Sequence, residues 1–449
     1  MLRKDRIFIE CGRKSKLWLK MKLISLPNKN EQGSLLKRPK LNHDDLENKV
    51  RKVLREVRDG GDSALLNSTR ELDGVRLQSV RVPSTEIAAQ ADKLSPDIRN
   101  ALAQAYENVK CFHSSQQESV KKIITQPGVE CWRKSVPIES VGLYIPGGSA
   151  PLFSTLLMLG VPATLAGCKE IIVCTPPQKD GSLHPSIAAT ARILGLDTVF
   201  SVGGAQAIAG MHYATESIPK VHKIFGPGNQ YVTMAKMLVS LEGTAIDLPA
   251  GPSEVLVFAD QNATPAFVAS DLIAQAEHGP DSQVIVTCDN PEFLKEVIAQ
   301  VDLQLEDLPR REIALKALAQ SYAIEFPDLT HAMRFSNRYA PEHLILHVDN
   351  PDDWAKEVVN AGSVFLGSLS PEAAGDYASG TNHTLPTNRH ALAYSGVSLD
   401  SFVKKITFQK INHEGLKCLG PVVEALAHAE GLEGHKRSVS IRLKSLEEA

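Results

Sequence analysis

The apolar positions of this chain fall into three successive patterns. From about Asn42 to Gln117 they recur at helical spacing, as in Leu46, Val50, Val53, Leu54 and Val57. Asp44 stands where a cap would start that run, and Gly60-Gly61 stands where it would stop. Ser95-Pro96 opens a further helix, because proline is tolerated at a first helical position whose N–H is unused. From Val141 the pattern changes to short apolar runs: Ser140–Ile145, Glu170–Cys174, Thr198–Val202 and Lys223–Phe225. Each leads toward a helix, three of them through a glycine turn, which predicts a parallel sheet covered on both faces. A second such series begins at Ser253–Phe258, continues through a helix from Thr264-Pro265 to His278 and the strand Gln283–Thr287, and adds His343–Leu346 and Ser363–Leu366. After about His390 a tail follows, with a helix over Pro421–Glu430 opened by Gly420-Pro421 and strand-like alternation over Ser438–Leu443.

Length adds the domain organisation. A chain of 449 residues exceeds one ordinary core. The patterns divide it into a basic extension (1–20), a helical N-terminal segment (21–140), a first α/β domain (141–250), a second α/β domain (251–390) and a tail (391–449). The two α/β series suggest similar domains facing one another. Residues 1–20 carry seven Lys or Arg and no clean apolar run, so a secretory signal is not expected, and Met21 is read as the functional start.

Net charge of −3 offers nothing global to nucleic acid or an anionic membrane, which leaves a small molecule as the expected partner. The seven cysteines are scattered without a CxxC pair, so neither a disulfide framework nor a thiolate zinc site is suggested, and a reducing cytoplasm fits. The most apolar stretch, Ala150 to Gly167, is broken by Pro151, Gly160 and Pro162 and reads as a buried helix rather than a membrane span.

Candidate chemistry collects at a few places. Pro146-Gly147-Gly148, Gly203-Gly204-Ala205-Gln206 and Gly226-Pro227-Gly228-Asn229 follow strands and precede helices. They suit a nucleotide crevice at the carboxyl ends of the strands, and equally suit plain tight turns, since none is a GxGxxG or P-loop motif. Gln275 and His278 are spaced to share a helical face toward a metal or substrate, although His278 suits a helix end just as well. Glu342-His343 puts a carboxylate beside an imidazole, the pairing a two-step proton transfer uses. Both face one cleft only if loop conformation persists through the dipeptide, because neighbours within a strand point apart. The polar run Glu372–His383 has the composition of a functional or a surface loop, and Glu430 and His435 flank a glycine turn in the tail.

Taken in order, Gly142-Leu143-Tyr144-Ile145-Pro146-Gly147-Gly148, Val202–Ala209, Phe225–Asn229, Asp247–Glu254, Gln275–Pro280, Tyr339–His343 and Glu430–His435 resemble the histidinol dehydrogenase family over roughly Asn42 to Leu443. The resemblance implies two Rossmann-like domains of an incomplete dinucleotide-binding type. It implies oxidation of L-histidinol through L-histidinal to L-histidine, at the end of histidine biosynthesis, with two NAD⁺. By matched position, Gln275, His278, Asp376 and His435 would hold one Zn²⁺, an oxygen and imidazole set that also tolerates Mn²⁺ or Co²⁺. Glu342 and His343 match the acid–base pair. Ser253, His383 and Glu430 match substrate contacts, together with Gln275, His278, His343, Asp376 and His435, and Tyr144, Gln206 and Asn229 match dinucleotide contacts. The family's homodimer would bring the tail, with Glu430 and His435, to the partner's site. The basic extension is the one departure from the family pattern.

Three rivals remain. One is a related NAD-dependent dehydrogenase of another small alcohol. Another is aldehyde oxidation through a thiohemiacetal on Cys168 or Cys174. The last is a metal- or nucleotide-binding regulatory protein on the same scaffold.

Overall fold

The structure is a computed structural model that describes residues 21–38, 43–147, 151–248 and 251–448, without the side chains of His43 and Asp44. The basic stretch 1–20, the Asp44 side chain on which the expected cap depends, Gly148 of the first glycine loop, Ala150 and Pro249-Ala250 are not described.

Two parallel sheets carry the α/β fold. The first has five strands in the order Val199–Ser201, Glu170–Thr175, Ser140–Tyr144, Lys223–Phe225 and Ala245–Ile246. The second has six, in the order Lys22–Ser25, Tyr322–Glu325, Gln283–Cys288, Glu254–Ala259, His343–His347 and Ser363–Leu366. Continuous apolar runs form the inner strands because helices bury both faces. Within Glu254–Ala259, Val255, Val257 and Ala259 join one core with the helix Pro265–Ala276, while Leu256 and Phe258 join another with the helix Leu329–Tyr339. In the first sheet Val141 and Leu143 face one core and Tyr144 the opposite one.

The N-terminal segment is less purely helical than its periodicity suggests. Lys22–Ser25 supplies an edge strand to the second sheet through its parallel register with Tyr322–Glu325, far along the chain. Four residues, mostly exposed, are too few to show a period. Lys122–Gln126 and Val129–Pro137 pair antiparallel, and Val403–Ile411 from the tail adds a third strand to them. The stop expected at Gly60-Gly61 is a kink: Gly61 takes φ 50° and ψ −137°, and helix resumes to Ser68.

The tail also departs from its pattern. Ser438–Leu443 lies within the helix Glu433–Glu447, and the helix expected to open at Pro421 instead runs His413–Ala429 through it. Gly420 explains the packing, since a side chain there would collide with Leu443 of the second helix. The alternation of Val439, Ile441 and Leu443 thus belongs to a helix on a neighbouring helix. The apolar stretch near 150–167 forms the buried helix Phe153–Ala166, and no helix among the described residues is long and apolar enough to cross a membrane.

Candidate active site

The acid–base candidates stand at the amino edge of the second sheet. The helix Leu329–Tyr339 ends when Ala340 adopts the left-handed conformation (φ 51°), which costs an L-residue about 1–2 kcal/mol. Pro341 then leads into Glu342, and His343 opens its strand beside Val255. Both Glu342 and His343 are buried, and their side chains converge: His343 Nδ1 lies 3.6 Å from Glu342 Oε2. Loop conformation does not persist through the dipeptide, because His343 is already the first strand residue; the two side chains converge because Glu342 precedes the strand. Glu254 N–H donates to Glu342 Oε2 (2.8 Å), and His343 Nδ1 lies 3.3 Å from the Glu254 carbonyl oxygen.

Around this pair stand Glu372 and Asp376 from the short helix Glu372–Tyr377. Glu372 Oε1 is 3.7 Å from His343 Nδ1, and Asp376 Oδ1 is 3.7 Å from His343 Nε2. Asp376 also lies 4.0 Å from both His278 Nε2 and His383 Nδ1. Gln275, wholly buried, is satisfied when its amide nitrogen donates to Glu372 and its oxygen accepts from the Glu254 N–H at 2.9 Å. The shared helical face expected for Gln275 and His278 is not what joins them. The helix ends at Ala276, and His278 reaches Asp376 from the turn beyond it.

Electrostatics follow from crowding acids and imidazoles in a buried space. Burial pushes the Glu342 and Glu372 carboxyls up to about 8. Burial by itself would depress His343, but Glu372, Glu342 and Asp376 outweigh it and raise the imidazole to about 10. Asp376 is opposed by burial, yet His343, His383 and His278 together hold it below the usual carboxylate range. Burial lowers His278 and His383, favouring the neutral rings that bind metals.

Ligand atoms of His278, Glu372 and Asp376 lie within 4.8 Å of one another, close enough to share a cation. His343 Nε2 and one Glu372 oxygen are buried without a hydrogen-bond partner, so the cluster has unused donor and acceptor capacity. Oxygen and imidazole donors of this kind fit Zn²⁺. Glu372 was the residue that sequence reasoning passed over. It lay inside the polar run already singled out, but nothing in the sequence distinguished it from its neighbours.

His383 links the second sheet to the first. Its Nε2 lies 3.1 Å from the Thr155 hydroxyl, and its Nδ1 lies 2.9 Å from the Asp376 carbonyl oxygen. Thr155 sits in the first turn of the helix after Tyr144, so the cluster faces the carboxyl edge of the first sheet. The three dinucleotide candidates share that edge. Tyr144 hydroxyl accepts from the Gly204 N–H (3.1 Å), Gln206 is buried in the following helical turn, and Asn229 caps the helix Gln230–Leu241 by accepting from Tyr231 and Val232 N–H.

Gly226 takes φ 123° with its α-carbon packed against the Tyr144 carbonyl, so a side chain has neither the conformation nor the space. Gly226→Ala should lower the thermal midpoint, as strain of roughly 1–3 kcal/mol is forced into the loop, and a rise of about fivefold or more in the KM for a dinucleotide is the result expected of a loop that binds it. An unchanged KM would remove this loop from the dinucleotide site.

Other predicted residues stand beside the cluster or away from it. Ser253 is half-buried next to Glu254, and its carbonyl accepts from the Gln283 N–H (3.3 Å). Glu430 and His435 are exposed on the tail, and among the described residues neither side chain bonds to the cluster of this chain. The thiols rival the imidazole poorly. Burial pushes Cys168 up to about 11 and Cys174 higher still, away from the thiolate that a nucleophile requires.

Comparison with known proteins agrees on one family. The family model described as histidinol dehydrogenase matches residues 36–443. The histidinol dehydrogenase of Bacteroides thetaiotaomicron is 54% identical over 426 residues, covering 95% of this chain and 100% of that protein. That of Vibrio parahaemolyticus is 49% identical over 422 residues, covering 93% and 97%. The crystal structure of histidinol dehydrogenase from Elizabethkingia anophelis superposes with a TM-score of 0.93 at 50% identity, covering 96% of this chain and 100% of that one.

Proposed function

The chain belongs to the histidinol dehydrogenase family and is an oxidoreductase, and from that premise we propose that it oxidises L-histidinol through L-histidinal to L-histidine with two NAD⁺ and one Zn²⁺ per site. The observation that carries the reading is the convergence of Gln275, His278, Glu342, His343, Glu372 and Asp376 in one buried cluster. A regulatory binding protein has no use for a buried carboxylate–imidazole pair beside such a cluster. The substrate contacts assigned to Ser253, His383 and Glu430 favour L-histidinol over another small alcohol. The free cysteines among the described residues suit a reducing cytoplasm.

Gln275, His278 and Asp376 hold the metal in this reading, with Glu372 beside them. Bound there, Zn²⁺ supplies Lewis acidity and an anchor for the substrate's amine and imidazole. Glu372 and Asp376, two of the three carboxyl groups that hold the proton on His343, would be drawn toward that cation, which would loosen the imidazole's hold on its proton. His343 then takes the hydroxyl proton of L-histidinol as hydride leaves for NAD⁺, giving the aldehyde. Glu342 withdraws a proton from the water that adds to that aldehyde, and His343, its first proton released to solvent, deprotonates the resulting hydrate for hydride transfer to the second NAD⁺. Tyr144, Gln206 and Asn229 hold the dinucleotide along the carboxyl edge of the first sheet, close to the reacting carbon because Thr155 and His383 join the two halves.

The exposed Glu430 and His435 complete the site of a second copy. Chains carrying His435→Ala and chains carrying Gln275→Ala test this when combined. Each homodimer should be inactive, whereas a mixed dimer holds one site with both lesions and one with neither, and so regains about half of the wild-type activity. Mixed dimers without any recovery would show that each tail serves its own chain or none.

A further inference from the structure

Among the described residues, the side-chain hydrogen bonds of Glu342 and His343 both run to one backbone, that of Glu254, through its N–H (2.8 Å) and its carbonyl (3.3 Å). Glu254 is in turn held by a residue far away in sequence. Arg38 donates from Nε to Glu254 Oε2 (2.6 Å) and from Nη2 to Oε1 (2.7 Å), a two-pronged pair buried on both sides. The same guanidinium donates to the Tyr339 carbonyl (2.9 Å) and lies 3.4 Å from the centre of the Tyr339 ring. Tyr339 is the last residue of the helix before the left-handed turn that delivers Glu342, and its own hydroxyl is fixed by Gln283 Oε1 (2.8 Å). Arg38 thus ties together the two chain segments that set the distance between Glu342, His343 and their common anchor.

We propose that Arg38 is a positioning residue for the acid–base pair, acting through Glu254 and Tyr339 without touching the substrate. The inference rests on the assignment of Glu342 and His343 to proton transfer. Arginine suits the task where lysine does not, because only a planar fork can satisfy both carboxylate oxygens and a third acceptor in fixed directions. A purely structural join between two buried segments does not need a charge, since apolar residues of similar volume hold such contacts without the desolvation penalty. The charge and its fork are spent here on orientation. Arg38 arrives on the segment that begins with the edge strand Lys22–Ser25 and the helix Lys29–Leu35, so this short N-terminal unit has a use beyond packing.

The test uses full-length Arg38→Lys and Glu254→Gln, each of which keeps part of the pair, alone and combined with His343→Asn. Both single variants should stay folded and keep the KM for L-histidinol and NAD⁺ within about threefold, while kcat falls by about 10- to 100-fold, the scale of a misplaced catalytic group. In the His343→Asn background neither should slow the enzyme further by more than about twofold, because a residue that acts through His343 and its neighbour has little left to position. Wild-type kcat in both single variants would overturn the proposal. So would losses that multiply in full with that of His343→Asn, which would place Arg38 outside the pair while leaving the pair intact. Normal turnover in His343→Asn alone would instead overturn the acid–base assignment, and this inference with it.

Discussion

His343→Asn should lower the turnover of L-histidinol by about 10²–10⁴, the range that a positioned general base contributes, while the protein keeps its fold and the zinc content of the wild type. The geometry gives the reason. His343 Nδ1 faces the Glu254 carbonyl at 3.3 Å, which fixes the ring and directs its proton, and leaves Nε2 as the free nitrogen. That nitrogen is buried and lacks a hydrogen-bond partner, yet stands 3.7 Å from Asp376, beside the metal candidates. Asparagine keeps a polar group near Glu254 but cannot accept and release a proton. Zinc content, measured by metal analysis on the purified variant, separates loss of the base from loss of the site. Turnover within a factor of about three of wild type would remove His343 from proton transfer.

Glu342→Gln should split the reaction. The amide oxygen can still accept from the Glu254 N–H, now held by the carboxylate at 2.8 Å, so local structure survives. Burial holds the Glu342 carboxyl up at about 8, so its anion, the form that withdraws a proton, is costly to bury, and a neutral isostere spares the fold that cost. The lost function is the withdrawal of a proton from water. Oxidation of L-histidinol to the aldehyde should therefore continue, whereas oxidation of supplied L-histidinal to L-histidine falls by about 10²–10³. A normal second half-reaction in Glu342→Gln would contradict the role given to Glu342.

Much of this arrangement was legible along the chain. Apolar runs such as Glu254-Val255-Leu256-Val257-Phe258 declare parallel strands because both faces are buried, and their periodicity needs no partner to be seen. The glycine turns after Tyr144, Ser201 and Phe225 were readable for the same local reason. What escaped depends on distance in sequence. Arg38 and Glu254 are separated by 216 positions, and no local pattern at either residue announces the pair. Glu372 is brought against His343 by a six-residue helix, and nothing in its own sequence neighbours announces that contact. The tail misled for a different reason. Ser438–Leu443 alternates as a strand would, but Leu443 is bound to the gap left by Gly420 on the adjacent helix, and tertiary packing overrides the period. The role proposed for His435 rests on resemblance alone, since its own chain leaves it exposed and outside the group of His278, Glu372 and Asp376.

The central claim, a metal-dependent four-electron oxidation at this cluster, is tested most directly by counting NADH formed per L-histidinol before chelation, after it, and after Zn²⁺ is returned. The account predicts two NADH per substrate, none after the metal is removed, and recovery with Zn²⁺. A single NADH per substrate, or full activity in the chelated protein, would contradict it.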